Sequence, residues 1–116
     1  MFVYVVREVI AYEGDLWTQI VKDDDFATGK IKNILLESVR EDVEVEQRRI
    51  NYLEAEITVS PYVVKSDIIK RIDSSKDSRE RLVKTILTID LTKSFGEYSE
   101  YEKTYNTLSV EKVEVI

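Results

Sequence analysis

Histidine and cysteine are both absent from this 116-residue chain, so no disulfide, thiolate or imidazole metal site can hold its fold together. A hydrophobic core has to do so alone. Apolar residues make up 43% of the sequence and charged ones 34%, an ordinary balance for a globular protein. At this length folding removes roughly two-thirds of the unfolded chain's surface from water, enough for stability without covalent or metal staples. One domain over residues 1–116, with one core, is therefore expected.

The same absence narrows the chemistry. Without imidazole no side chain titrates near neutrality in its unperturbed state, and without a thiol there is no cysteine nucleophile. Catalysis would fall to carboxylates, Lys, Tyr or Ser/Thr, and no constellation of these stands out by spacing, so no catalytic residue is assigned and no enzyme is expected. The phosphate-cradling patterns GxxxxGK[ST] and GxGxxG are missing, and Thr28-Gly29-Lys30 is only a fragment of one. Asp23-Asp24-Asp25 lacks the alternating acids, central Gly and terminal Glu of a calcium loop. It reads as a solvated loop whose last carboxylate helps to start a helix. No metal and no cofactor are called for.

Local patterns predict an α+β domain. Residues 2–12 carry Val3, Val5, Val6, Val9 and Ile10, and a turn at Glu13-Gly14-Asp15 leads into Leu16-Trp17-Thr18-Gln19-Ile20-Val21, a hairpin signature. Ile31, Ile34, Leu35 and Val39 predict a helix over about 26–41. Val43, Ile50 and Leu53 could prolong it, but Leu53, Ala55, Ile57 and Val59 alternate as on a half-buried strand. Ser60-Pro61 is a helix start, and Val64, Ile68, Ile69 and Ile72 predict a second helix over about 61–73. Ser74–Ser78 reads as a polar loop, the β-branched run Thr85–Thr92 as a strand, Ser94-Phe95-Gly96 as a turn, and Leu108–Ile116 as a final strand. The resulting order, β-β-α-β-α-β-β, predicts a mainly antiparallel sheet of about five strands with two helices packed on one face.

Charge divides the chain into regions. Net charge is −6, yet Lys65, Lys70, Arg71, Lys76, Arg79, Arg81 and Lys84 outnumber the four acids among them. This segment is the candidate nucleic-acid-binding surface, since Lys and Arg against phosphates supply most such affinity. The interleaved acids and a pI of about 4.8 make nucleic acid the lesser alternative. Mimicry of nucleic acid would need denser and less compensated carboxylates than these.

Tyr98, Tyr101 and Tyr105 share one face if residues 97–107 are helical, and with Trp17 they are the candidate protein-binding residues, because Tyr and Trp are enriched at interface hot spots. Their alternative role is core packing. The C-terminal Val113-Glu114-Val115-Ile116 run has no protective Pro and offers an edge through which a homodimer could form. The first residues lack the basic region of an export signal, and no apolar run approaches the roughly 20 residues of a membrane span, so a cytoplasmic protein without membrane contact is expected. Ala, Gly and Pro are scarce while Ile, Lys and Tyr are plentiful, the profile of AT-rich codons, as in a virus, phage or mobile element. The best-fitting function is a non-enzymatic module that binds another protein, an accessory or inhibitor acting in a host cell. A small-ligand-binding domain is a further alternative.

Overall fold

The computed structural model describes residues 1–59 and 65–116. Its elements run β1 (Phe2–Ile10), β2 (Gly14–Lys22), α1 (Ala27–Val59), α2 (Lys65–Leu91), β3 (Tyr98–Glu102) and β4 (Asn106–Glu114). The protein is α+β, with four antiparallel strands in the order β2-β1-β4-β3 and two helices. The N-terminal and C-terminal strands lie side by side at the centre, Val6 opposite Val110.

The expected first hairpin is present. Its connection bends at Tyr12, which takes a left-handed φ of 67°, and Gly14 follows at φ 95°, a region where a side chain is strained. A bulge between Glu8 and Val9 then shifts the register of β1 on β2. Strand alternation sends Val6, Val21, Tyr101, Leu108 and Val110 to one face, where they meet Ile31, Leu35, Val39, Leu82 and Ile89 of the helices in the main core. Both helices therefore cover the same face of the sheet.

Three sequence expectations fail in the middle of the chain. The helix expected to end near residue 41 continues to Val59, so Leu53–Val59 is helix and not strand. Ser74–Ser78 is not a loop, and Thr85–Leu91 is not a strand; both lie inside α2. The reason is a long-range period. Ile31, Leu35, Val39, Glu46, Ile50 and Leu53 of α1, and Ile68, Ile72, Ser75, Leu82 and Ile89 of α2, are buried at spacings that sum three- and four-residue steps, the seam of an antiparallel helix pair. The β-branched residues fit the helix by turning their hydroxyls onto the preceding turn: Thr85 donates to the Arg81 carbonyl at 3.2 Å, Thr88 to Lys84 at 3.0 Å and Thr92 to Thr88 at 2.8 Å. Of the five expected strands, three remain, and β3 is a strand the sequence pattern did not reveal. The expected helix start at Ser60-Pro61 lies outside the described residues.

The helix pair is longer than the sheet. At 1.5 Å per residue, α1 spans roughly 50 Å against roughly 30 Å for a nine-residue strand. Beyond the main core a second cluster of Ile50, Leu53, Ile68 and Ile72, with Ile57 against it, joins helix to helix with no residue from the sheet. The molecule is accordingly drawn out, 65 × 29 × 15 Å. No described helix is long and apolar enough to cross a membrane.

Polar contacts flank both helices. Asp24, and not Asp25, accepts the Phe26 amide at 2.9 Å in the turn that leads into α1, while Asp23 pairs with Lys112 at 3.5 Å. Lys32 of α1 donates to the Asp90 carbonyl at 2.9 Å, placing a cation at the negative end of α2. The sheet's outer strands are β2 and β3. β4 pairs with β1 as far as Glu114 but with β3 only over Thr107–Glu111, so Val113 and Glu114 at the C-terminal end have a strand on one side alone among the described residues.

Candidate functional site

Glu8 points from β1 into the core face and is only 3% exposed. A lone carboxylate there would be prohibitively desolvated, so its surroundings must supply donors. They supply four: Oε1 accepts from Lys103 Nζ at 2.8 Å, Ser38 Oγ at 2.8 Å and Trp17 Nε1 at 3.2 Å, and Oε2 accepts from Asn106 Nδ2 at 2.6 Å. Lys103 also reaches Asp42 at 3.4 Å. Burial pushes the Glu8 carboxyl upward, but the hydrogen bonds from Lys103, Asn106 and Ser38 and the Lys103 charge outweigh it, so its pKa lies below the ordinary value. The cluster opens on a cleft of about 400 Å³ that Ile34, Glu37 and Glu41 also line. In this arrangement the carboxylate is saturated and the ammonium is shared between two acids, leaving neither a free base nor a free amine. The arrangement ties β1 to β2, α1, β4 and the β3–β4 connection.

Neither helix covers the opposite face of the sheet among the described residues. In an antiparallel sheet with one solvated face the outward positions are usually polar. Here β1 presents Val3, Val5, Arg7 and Val9; Val5 lies beside Ile20 of β2, and Val3 beside Val113 of β4. Ile20 is 69% exposed. Arg7 sits at the centre, with Asp15 at 3.6 Å and Glu111 at 3.8 Å, yet its buried Nε has no hydrogen-bond partner among the described residues. Tyr98 stands beside Glu111 on the same face, 57% exposed. Burial, with the Glu100 and Glu111 carboxylates, holds its phenol above the ordinary value.

The four aromatic candidates are not gathered on one surface, because residues 98–102 form a strand and no helix aligns them. Tyr101 faces the core at 8% exposure, packs edge-on against Phe95 at 6.4 Å and shares a hydrogen bond of 3.2 Å with Thr92. Tyr105 is 81% exposed in the turn before β4. Trp17 is half-buried on the helix side, held by Glu8. Only Tyr98 lies on the uncovered face.

The basic candidates all lie on α2. At 100° per residue Lys65, Lys70, Arg71, Lys76, Arg79, Arg81 and Lys84 point in every direction around the helix, so they form no single phosphate-tracking stripe. Arg79 is taken by the Gln47 side chain.

Glu8, Ser38, Lys103 and Asn106 were missed by sequence reasoning because up to 98 residues separate partners in contact. One local signal existed: Glu8 occupies a core-facing position of a strand whose neighbouring inward residue is Val6. Likewise, Val3, Val5 and Val9 made β1 apolar on both faces. No known protein family, curated protein or solved structure matches the chain.

Proposed function

We propose that this protein is a non-enzymatic protein-binding module whose contact surface is the uncovered face of its sheet. The observation that carries the reading is that Val3, Val5, Val9, Ile20 and Val113 stand beside Arg7 and Tyr98 on a face whose other positions, among them Thr18, Lys22, Ser109 and Glu111, are polar. Apolar residues around an Arg and a Tyr are the composition of interface cores. The partner is another protein with a flat apolar surface and carboxylates able to complete the Arg7 guanidinium. The AT-rich residue profile supports an accessory or inhibitor protein of a virus or mobile element acting on a host protein.

The test compares partner capture by the wild type and by the Val5→Lys/Ile20→Lys double variant, from source-cell lysate with and without nuclease. A protein retained in both nuclease lanes and lost with the double variant, whose circular dichroism stays that of the wild type, is the expected result. Retention that vanishes with nuclease and with Lys70→Glu/Lys84→Glu would instead assign the protein to nucleic acid through α2.

A further inference from the structure

Between α2 and the edge strand β3 lies a groove of about 350 Å³ that belongs to neither surface described above. Leu82, Thr85 and Tyr101 line it, and Arg81 and Lys84 stand on its helix wall. The strand wall is the outer backbone edge of β3, which pairs with no further strand among the described residues. The Glu97 carbonyl accepts from the Lys112 amide, and the Lys103 amide donates to the Asn106 carbonyl, so residues 97, 99, 101 and 103 turn their polar groups toward β4. By alternation Tyr98, Glu100 and Glu102 turn theirs away, along the groove. One of these groups is engaged within the chain: the Glu102 carbonyl accepts Thr85 Oγ1 at 3.0 Å. The other edge of the sheet, β2, is deformed by the bulge opposite Glu8 and Val9, a feature that discourages pairing.

We infer that this groove takes an extended segment of another protein by strand addition to β3, and that the segment it fits alternates acidic and basic side chains. An added strand sends successive side chains to opposite faces. Those on the helix side meet the Arg81 and Lys84 cations, which select carboxylates. Those on the uncovered side lie beside Glu100 and Glu102, which select Lys or Arg. A uniformly acidic or basic segment satisfies one row and opposes the other. A second copy pairing β3 on β3 would set these glutamates against one another on the same face, so a self-paired edge is disfavoured. The inference is independent of the sheet-face reading, since Val5→Lys and Ile20→Lys leave the groove intact.

Two blocked eight-residue peptides of identical composition test it, one alternating glutamate and lysine, the other with four glutamates followed by four lysines. Titrated into isotope-labelled protein, the alternating peptide is expected to shift the amide resonances of Tyr98, Glu100 and Glu102, to slow Glu100 amide exchange at least tenfold, and to bind at least tenfold more tightly than the block peptide. The exposed pair Arg81→Glu/Lys84→Glu is expected to abolish binding. N-methylation of alternate peptide amides, which leaves the protein untouched, is expected to do the same. Equal binding of the two peptides, binding that leaves the Glu100 and Glu102 amides unmoved, or no binding at millimolar peptide would each overturn the inference.

Discussion

Glu8 shows how one residue on β1 can hold α1, β2, β4 and the β3–β4 connection together. Its carboxylate accepts from Lys103, Ser38, Trp17 and Asn106, so removing it leaves four donors, one of them a cation, without their shared acceptor. Breaking a buried pair by deleting one partner costs about 3–5 kcal/mol, and Glu8→Ala is expected to lose that much in urea unfolding. The pH dependence follows from the sign of the shift. Because the folded pKa lies below the reference value of 4.5, the unfolded chain takes up the proton first as the solution is acidified. The stabilisation is therefore complete above the unfolded pKa and is lost as pH falls through it toward the folded value. Glu8→Gln, less stable than the wild type at neutral pH, is expected to show a shallower loss between about pH 5 and pH 3. Parallel curves for the two proteins would contradict this account.

At the scale of elements, the helix pair carries its own weak point. Between the main core and the distal cluster the seam is polar: Glu46 on α1 and Ser75 on α2 are both buried, and Glu46 Oε2 has no hydrogen-bond partner among the described residues. Arg49 contacts the other oxygen at 3.4 Å from a half-exposed position. An unsatisfied buried oxygen costs about 1–3 kcal/mol, so Glu46→Leu is expected to raise stability by an amount in that range, read from the denaturation midpoint at unchanged m-value. The same seam explains which elements could be read from sequence. The β1–β2 hairpin and the start of α1 were legible because the turn residues and the local period agreed. Leu53–Val59 was misread because Leu53 and Ile57, four apart on a helix, also sit on one face of a strand, and seven residues cannot separate the two periods. Ser74-Ser75-Lys76-Asp77-Ser78 looked like a loop because its one seam position is a serine. Strand β3 escaped notice because Ser99 and Tyr101 are its only inward side chains, and both gain their place from partners elsewhere in the chain.

The whole molecule is a sheet-backed core with a helical arm, and its dimensions state this directly. A compact chain of this length would have a radius of gyration of roughly 13 Å, whereas the observed value is 17.9 Å. The excess comes from the distal helix pair, whose apolar contacts are confined to Ile50, Leu53, Ile57, Ile68 and Ile72. The sheet end holds the larger cluster and the saturated Glu8 network, and neither includes a residue from beyond Val43 on α1 or before Leu82 on α2 apart from the strands and their connections. Stability is then expected to be graded along the long axis, because local opening follows the density of buried contacts. Hydrogen exchange checks this: amides of residues 50–57 and 68–72 are expected to exchange roughly a hundredfold faster than those of residues 31–39 and 82–89, a difference of about 2.7 kcal/mol in opening free energy. Replacing residues 47–76 with a short glycine-rich turn is expected to leave the sheet end cooperatively folded, with the Trp17 fluorescence of the intact protein and a radius of gyration near the compact value. Loss of that fluorescence would mean that the arm is part of a single cooperative unit and that the division into two clusters has no energetic counterpart. Retention would show that the uncovered sheet face and the β3 groove, which both lie at the sheet end, are displayed by a scaffold that does not depend on the arm.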